Sequence, residues 1–355
     1  MTVIKDLLPA RGVIMATLPT PLEFAGFLAS GRRLFIKRDD LTGLGMGGNK
    51  ARKLEALCAH AIAQKCNLLV TVGAEQSNHA RVTAAAGARL GLETHLVLGG
   101  RSATREGNQL LSTLFGAHIH DAATDSWPEL QRIMDDLVQT WTLAGRRPYA
   151  IPIGGSTAVA ATSFILAWQE FLEQLRSIES PAIAGIVIAS STGGTHAGML
   201  AGRQLLGGPP VYAIDVAKES PDLGAQTRRL ADETLALLGI SDRIDPGSVN
   251  IDQSFAGVSY AEPTAEADAA MLGLARSGGW VLDRVYTAKA FAGLLKYDRD
   301  GRFGDGDVVF WHTGGQPAVF GAHGAPFLDG TLPVISNSVI MPPSLLKMSG
   351  DTLAK

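Results

Sequence analysis

The chain has 355 residues, a formal net charge of -3 at pH 7, and 46% hydrophobic against 18% charged residues. This composition excludes intrinsic disorder, because disordered chains combine low hydrophobicity with high net charge. The nearly balanced 31 Lys plus Arg and 34 Asp plus Glu give no sign of a nucleic-acid partner. The length allows about two domains, or one large α/β unit, with a large core.

No membrane span is predicted, because no run reaches the ~18 consecutive apolar residues that such a span requires. The N-terminal sequence is interrupted by Lys5, Asp6 and Arg11 before a signal-peptide core could form. Cys58 and Cys66 are the only cysteines, which is too few for a disulfide framework or a zinc site. We expect a cytoplasmic enzyme or small-molecule binder without a metal ion.

Short apolar runs alternate with segments of helical periodicity along the chain. The runs are nearly continuous rather than alternating, which is typical of strands buried on both faces of a parallel sheet. Between them, apolar residues recur at helical spacing over 54–62 and 130–141. This order predicts an α/β fold. The strand-like runs are 34–36, 68–72, 96–98, 186–188, 211–216 and 308–311.

The turn-rich segment 151–156 is the best candidate for a boundary between two lobes. It ends one series of strands and helices, and a new helix is predicted to begin at Ser156 or Thr157. After about residue 325 the pattern fades, and we interpret this tail as a surface extension or a partner-contacting segment.

A glycine-rich loop leads into Lys50 at the predicted start of a helix. A lysine is unusual there, because the helix dipole favours anions at that end. Backbone N–H donors beside its amine would lower the pKa toward the neutral, nucleophilic form. A solvated surface lysine is the more common reading of such a residue.

Polar residues follow two of the predicted strands directly at their carboxyl ends, which is where parallel sheets bind ligands. The segment from Gln76 to His79 comes after strand 68–72, and the start of the next helix could hold a carboxylate. Ser77 or Asn78 could also simply cap that helix, and the two roles are compatible. The loop 190–198 is rich in glycine and hydroxyl groups and suits a phosphate dianion.

The 190–198 loop lacks the lysine of a nucleotide P-loop and contains no G-x-G-x-x-G motif. A phosphate bound by this loop is therefore more compatible with a small cofactor than with ATP or NAD. An ordinary strand-to-helix turn that binds no ligand is equally possible.

Tyr286 precedes another predicted helix, for which Thr287 is a candidate N-cap. The tyrosine could offer a flat face for stacking and a phenol for proton transfer, or it could be only a hydrophobic staple. His312 to Gly315 form a turn with a polar lip after strand 308–311. An amine, a phosphate-binding loop and a flat aromatic together suit pyridoxal 5′-phosphate.

Five segments carry a resemblance to a known family. They are MGGNKARKLE, GAEQSNHAR, SSTGGTHAGM, VYTAKAFAGL and HTGGQPAVF, and they occur in the family's order over roughly residues 15–325. The chain resembles the pyridoxal-phosphate enzymes that include D-cysteine desulfhydrase and 1-aminocyclopropane-1-carboxylate deaminase. The resemblance implies fold type II, with a large lobe over 1–50 and 157–355, a small lobe over 51–156, and the cofactor between them.

The resemblance also implies roles for individual residues toward the cofactor. Lys50 would bond covalently to its aldehyde, Tyr286 would stack on its ring, and Asn78 would contact the ring hydroxyl. Thr313 would lie near the pyridine nitrogen. The phosphate would be held by Thr192, Gly193, Gly194 and Thr195.

Toward the substrate, the resemblance places Ser77 near the α-carbon and the carboxylate, together with the backbone at Asn78 and His79. Lys50, alone or with Ser77, would remove the α-hydrogen. Tyr286 is the third catalytic candidate, and Thr287 is a substrate-binding candidate.

Two positions favour one branch of the family. Cyclopropane deaminases carry Glu after the stacking tyrosine and Leu in the H-x-G-G motif, where this chain has Thr287 and Thr313. The resemblance therefore implies β-elimination on a small amino acid, foremost D-cysteine, by a cytoplasmic homodimer. L-cysteate sulfo-lyase, cyclopropane-carboxylate deaminase and a non-catalytic homologue remain alternatives. A sulfonate substrate would need an additional cation, and Arg81, one turn into its helix, is expected to be solvated.

Overall fold

Strands and helices alternate along the chain, and the predicted α/β class is confirmed. The computed structural model describes residues 13–100, 104–178, 182–321 and residue 340. Its strands are β1 (Leu22–Phe27), β2 (Arg33–Arg38), β3 (Leu68–Gly73), β4 (Glu93–Leu98), β5 (His118–Asp121), β6 (Pro148–Ile151), β7 (Ile183–Ser190), β8 (Val211–Asp215), β9 (Asn250–Asp252) and β10 (Asp307–His312). Its α-helices are α1 (Lys50–Ala63), α2 (Asn78–Leu90), α3 (Gly107–Leu114), α4 (Trp127–Leu143), α5 (Ala158–Leu175), α6 (Gly194–Leu206), α7 (Leu223–Leu237), α8 (Ala265–Gly278) and α9 (Thr287–Arg299).

The larger sheet has six strands in the order β1-β2-β10-β7-β8-β9. β1 pairs with β2 in the antiparallel sense, and the other four pairs are parallel. All six residues of β10 are buried, because helices cover both faces of the sheet. On one face Phe310 meets Phe291 of α9 at 5.1 Å between ring centroids, and on the other Trp311 meets Phe171 of α5 at 5.6 Å.

The smaller sheet has four strands in the order β5-β4-β3-β6, and all of its pairs are parallel. Its strands come from residues 68–151 only. Leu96 and Leu98 of β4 pack against α2, whereas Val97 packs on the other face with Leu130 and Met134 of α4. This sheet is therefore also covered on both faces.

Four strands, β1, β5, β6 and β9, were not predicted from the sequence, and all four lie at the edges of the two sheets. An edge strand pairs on one side only and remains partly exposed, so it does not need a continuous apolar run. β5 (HIHD) and β9 (NID) accordingly contain no such run. Every interior strand was predicted.

A buried network of charged groups fixes the first turn of α1 against the larger sheet. Arg52 donates to Asp39 over 2.9 Å and to Glu170 of α5 over 2.8 Å. Lys37, which is fully buried, also donates to Glu170, and the indole N–H of Trp311 donates to Asp39 over 2.9 Å. Removing one member of such a network costs about 3–5 kcal/mol, because its partner stays buried and uncompensated. The start of α1 is thus rigidly placed.

The predicted helix start after segment 151–156 is confirmed. α5 begins at Ala158, and the hydroxyl of Thr157 accepts a hydrogen bond from the backbone N–H of Ala160 over 3.1 Å. Within the described ranges, no helix is long and apolar enough to cross a membrane. The tail after about residue 325 lies outside the described residues, apart from Ile340, which is buried against the core of the larger sheet.

Candidate active site

One cleft is bordered by the carboxyl ends of strands from both sheets. Loops after β3, β7 and β10 line it together with the start of α1. Open α/β sheets bind their ligands at this end. The structure brings ten of the eleven sequence-predicted site residues to this cleft, namely Lys50, Ser77, Asn78, His79, Thr192, Gly193, Gly194, Thr195, Tyr286 and Thr313.

Lys50 is the first residue of α1, and its half-buried side chain lines the cleft. Burial lowers the pKa of Lys50 from 10.5 to about 8. The expected direction is correct, but the dominant cause is loss of solvation rather than the neighbouring N–H donors. A substantial fraction of the amine is therefore neutral near pH 8, as a nucleophile requires.

The loop before Lys50 is held by close backbone contacts. The N–H of Asn49 donates to the carbonyl oxygen of Thr313 over 2.9 Å, which joins α1 to the end of β10. Gly47 has a φ of +77°, and a Cβ there would lie 1.9 Å from the carbonyl oxygen of Asp40. Only glycine fits this position.

Arg81 is not solvated, contrary to the sequence-based expectation. It is fully buried, and its guanidinium donates to the carbonyl oxygens of Gly45 and Gly47 and to Oδ1 of Asn108 over 2.6 Å. Burial lowers the pKa of Arg81 to about 10. Because the guanidinium is rigid and planar, it fastens the loop that leads to Lys50 onto α2.

Ser77 and Asn78 combine a structural contact with a place in the cleft. The hydroxyl of Ser77 caps α2 by accepting from the N–H of Ala80 over 3.1 Å. Oδ1 of Asn78 accepts from Nδ2 of Asn108 over 3.1 Å, so Nδ2 of Asn78 is the end that can donate to a ligand. A Cβ on Gly73 would come within 2.6 Å of the Ser77 hydroxyl, which explains the glycine at the end of β3.

His79 lies under the cleft with a defined tautomer. The hydroxyl of Thr71 donates to the carbonyl oxygen of Ile151 over 2.9 Å, so it can only accept from Nε2 of His79, 3.0 Å away. Burial and the neighbouring amines of Lys50 and Lys53 hold the pKa of His79 well below its usual value. The imidazole is therefore neutral with its hydrogen on Nε2.

The loop after β7 supplies hydroxyl and backbone groups at the start of α6. Oγ1 of Thr192 lies 2.7 Å from Oγ of Ser156, and Oγ1 of Thr195 accepts from Nδ2 of Asn49 over 3.0 Å. Gly193 adopts a φ of +76° just before the helix. The N–H groups of the first turn of α6 have no partners within the helix, which makes this end attractive to an anion.

Lys53 is a site residue that the sequence analysis missed. Its Nζ is completely buried, donates to the carbonyl oxygen of Gly154 over 3.2 Å, and lies 2.7 Å from where a Cβ on Gly194 would stand. Burial, with the nearby amine of Lys50, holds the pKa of Lys53 well below 10.5. Its spacing of three residues from Lys50, which puts both on one helix face, was the available signal.

Tyr260 was also missed, because it lies in an irregular segment with no motif around it. Its hydroxyl forms a short hydrogen bond with that of Tyr286, and the ring of Trp127 packs edge-on at 6.0 Å. Burial raises the pKa of both tyrosines well above 10. Two phenols that stay protonated thus line the cleft together.

Thr287 is the predicted site residue that does not line the cleft. It is fully buried and its hydroxyl donates to Oδ1 of Asp283 over 2.6 Å. The predicted N-cap role of Thr287 is also wrong. α9 begins at Thr287, and the carboxylate of Asp283 caps it by accepting from the N–H groups of Val285, Tyr286 and Thr287. The carboxylate, four residues before the first residue of the helix, accepts several N–H groups at once, which a single hydroxyl cannot do.

The donor set fits a small phosphate ester that carries an aldehyde. Lys50, Lys53 and the first turn of α6 converge there, and among the described residues no carboxylate pairs with either lysine. Among the residues that the structure describes, Oγ of Ser190 and Nδ1 of His79 are also buried without hydrogen-bond partners. Buried polar atoms of this kind indicate a polar occupant.

Comparison with known proteins agrees with this geometry. A family described as "Pyridoxal-phosphate dependent enzyme" matches residues 13–314. The D-cysteine desulfhydrase of Klebsiella pneumoniae subsp. pneumoniae is 38% identical over 317 residues, covering 86% of this chain and 94% of that protein. The enzyme of the same name from Yersinia pestis is 37% identical over 314 residues, covering 86% and 93%.

Solved structures give the same result for the fold. A protein described as an ACC deaminase homologue superimposes with a TM-score of 0.82 at 32% identity, covering 92% of this chain and 98% of that one. Threonine deaminase isoform 2 of Solanum lycopersicum superimposes with a TM-score of 0.60 at 18% identity, covering 84% and 80%, and supports the fold alone. With a cleft built for an aldehyde and a phosphate, this chain belongs to the pyridoxal-phosphate-dependent enzymes of fold type II.

Proposed function

We propose that this enzyme catalyses β-elimination on D-cysteine, giving pyruvate, ammonia and hydrogen sulfide with uptake of one water. One observation carries the proposal: the cleft holds an amine base, Lys50, together with two protonated phenols, Tyr260 and Tyr286. Elimination needs both, because a base removes the α-hydrogen as a proton and an acid donates a proton to the departing sulfur. The relatives named D-cysteine desulfhydrase support this choice of substrate.

The cofactor would be held by groups at both of its ends. Lys50 would bond to the aldehyde, and Thr192 to Thr195 with Lys53 would bind the phosphate. Tyr286 would pack on the ring, Nδ2 of Asn78 would donate to the ring hydroxyl, and Thr313 would face the ring nitrogen. Pyridoxal phosphate supplies a ring that accepts the electron pair left on the α-carbon.

Lys50 and Ser77 would act on the substrate. With its pKa lowered to about 8, the released amine of Lys50 can take the α-hydrogen at neutral to mildly basic pH. The hydroxyl of Ser77 and the N–H groups that open α2 would orient the substrate carboxylate. The phenols of Tyr260 and Tyr286 would donate to the departing sulfur, and a thiolate of ordinary basicity needs only this modest assistance.

Two observations speak against the alternative substrates. A sulfonate such as that of L-cysteate would need a cation beyond those bound to phosphate, but Arg81 is engaged with Gly45, Gly47 and Asn108. For ring opening of the cyclopropane substrate, the resemblance implies Glu after the stacking tyrosine. Here that position is Thr287, which is turned away toward Asp283.

The test is a substrate panel with the purified holoenzyme. D-cysteine should give pyruvate and sulfide in equal amounts, and Lys50→Ala should abolish both. Sulfite from L-cysteate would establish the sulfo-lyase instead, and 2-oxobutanoate from the cyclopropane acid would establish the deaminase. A bound cofactor without turnover of any β-substituted alanine would contradict the proposal and indicate a non-catalytic homologue.

The proposal includes a cytoplasmic homodimer, as the family resemblance implies. Light scattering of the purified protein should give twice the 37.3 kDa chain mass. A monomeric mass for the active enzyme would contradict this part alone.

A further inference from the structure

A group of histidines lies at the outer edge of the smaller sheet, far along the strands from the cleft. Glu93 and His95 are on one face of β4, and His118 of the edge strand β5 is directly paired with His95. Because side chains alternate along a strand, His120 shares this face. We call these four residues the edge histidine cluster. Glu93 and His118 open their strands, whereas the cleft lies at the carboxyl ends.

Three donor atoms of the edge histidine cluster converge. Oε1 of Glu93 lies 2.6 Å from Nε2 of His95, and one ligand atom each of Glu93, His95 and His118 lie within 4.8 Å of one another. The rings of His95 and His118 are stacked at 4.7 Å. Two imidazole nitrogens and one carboxylate oxygen are a recurrent three-residue zinc ligand set with an open fourth position. His118 is exposed and can rotate to complete the geometry.

The surrounding groups are those that usually orient metal ligands. Nδ1 of His95 lies 3.0 Å from Nε2 of His120, so His95 can present Nε2 to a metal while its other nitrogen is held. Arg146 donates to both oxygens of Glu93, over 3.0 and 2.6 Å, and fixes the carboxylate. The ring of Trp141 in α4 packs on His95 at 4.2 Å between centroids.

The burial of His95 also suits a metal ligand. The side chain of His95 is only 8% exposed, which limits competition from water.

We propose that Glu93, His95 and His118 bind a divalent transition-metal ion with the ligand preference of Zn²⁺, clamping edge strand β5 to β4. The site lies at the end of the sheet opposite the cleft, so the ion takes no part in the reaction proposed there. This proposal differs from the sequence-based expectation that the protein binds no metal ion, because that expectation was based only on the two cysteines. The ligands come from two strands that pair only in the fold, so their convergence is not visible in the sequence.

The test uses tag-free holoenzyme, first treated with EDTA, and ZnCl₂ as the probe. Calorimetric titration should give one tight equivalent per chain in the wild type, and Zn²⁺ should raise the thermal midpoint. His118→Ala, at an exposed position, should remove this binding, and His120→Ala should weaken it by about 10-fold or more. His60→Ala, at a histidine of α1 paired with Tyr149, and Cys66→Ser should leave it unchanged.

The proposal fails if no saturable equivalent is seen, or if tight binding survives in either His118→Ala or His95→Ala. It also fails if Cys66→Ser or His60→Ala removes binding equally. Circular dichroism and urea midpoints verify that each variant is folded. Because the readouts are metal affinity and thermal stability, they are independent of turnover and hence of the proposed function.

Discussion

Nδ2 of Asn49 donates to Oγ1 of Thr195 over 3.0 Å in a buried position, joining two residues 146 apart in the chain. Asn49 immediately precedes Lys50 in the chain, and Thr195 belongs to the first turn of α6, which would hold the cofactor phosphate. The contact therefore sets the spacing between the groups that meet the two ends of the cofactor. It is also a neutral hydrogen bond, whose removal can be measured without adding or removing charge.

Asn49→Ala should weaken cofactor binding by about 3- to 10-fold, since a buried neutral hydrogen bond contributes about 0.5–1.5 kcal/mol. Titration of the apoenzyme with pyridoxal phosphate measures this. Asn67→Ala is the matched control, because that side chain accepts from the N–H of Arg147 at an exposed position. Thr195→Val combined with Asn49→Ala should be less than additive. Full additivity would show that the contact does not couple the two segments.

Lys50 rather than Lys53 should carry the cofactor covalently. After reduction with borohydride, mass spectrometry of the wild type should find the added mass on the peptide position of Lys50. Lys53→Met should keep the covalent bond while weakening cofactor affinity by about 10-fold or more, through loss of a buried cation beside the phosphate. Finding the label on Lys53 would reverse the assignment of the two amines.

The rate at which the apoenzyme captures cofactor should rise with pH and level off above about 8, the lowered pKa of Lys50. Only the neutral amine reacts, so an ordinary lysine would give a midpoint near 10.5 instead. The free energy of unfolding should also increase with pH over part of this range. Between pH of about 8 and 10.5 the unfolded chain binds more protons at this site, so the contribution of Lys50 to the free energy of unfolding increases with pH. Stopped-flow absorbance and urea titration measure the two effects.

Gly194→Ala should raise the cofactor dissociation constant by about 10-fold, which corresponds to ~1.4 kcal/mol. A Cβ there would lie 2.5 Å from Oγ of Ser156 and 2.7 Å from Nζ of Lys53, so both side chains must move out of the phosphate site. Gly304→Ala is the matched control, since its Cβ would meet no atom within 4 Å. Equal affinities in the two variants would exclude the packing of Lys53 against this loop.

Arg81→Lys should lower the free energy of unfolding by about 1–3 kcal/mol, since an ammonium cannot reproduce the fork of donors and leaves buried acceptors unpaired. Because the loop leading to Lys50 loses its anchor, cofactor affinity should fall as well. Arg89→Lys, at an exposed position of the same helix, should change neither quantity. Urea denaturation of the apoenzyme and cofactor titration measure both. If the Arg81→Lys variant were destabilised but bound the cofactor with normal affinity, Arg81 would stabilise the fold without contributing to cofactor binding.

The sequence by itself determined the α/β class, all interior strands of both sheets and the location of the site at strand ends. Interior strands are buried on both faces, so their residues are apolar without interruption, and such runs can be recognised in the sequence. It also determined ten of the residues that line the cleft, because loops at strand ends are short and rich in glycine and polar groups.

Only the tertiary structure decided the rest. The edge strands, the convergence of Lys53 and Tyr260 on the cleft, and the burial of Arg81 depend on contacts between segments far apart in the chain. The same holds for Thr287, where a carboxylate on the preceding turn takes the hydroxyl away from the cleft. The solvation and the hydrogen-bond partners of a side chain depend on residues that are close in space but distant in the chain. The local periodicity of the sequence therefore cannot predict them.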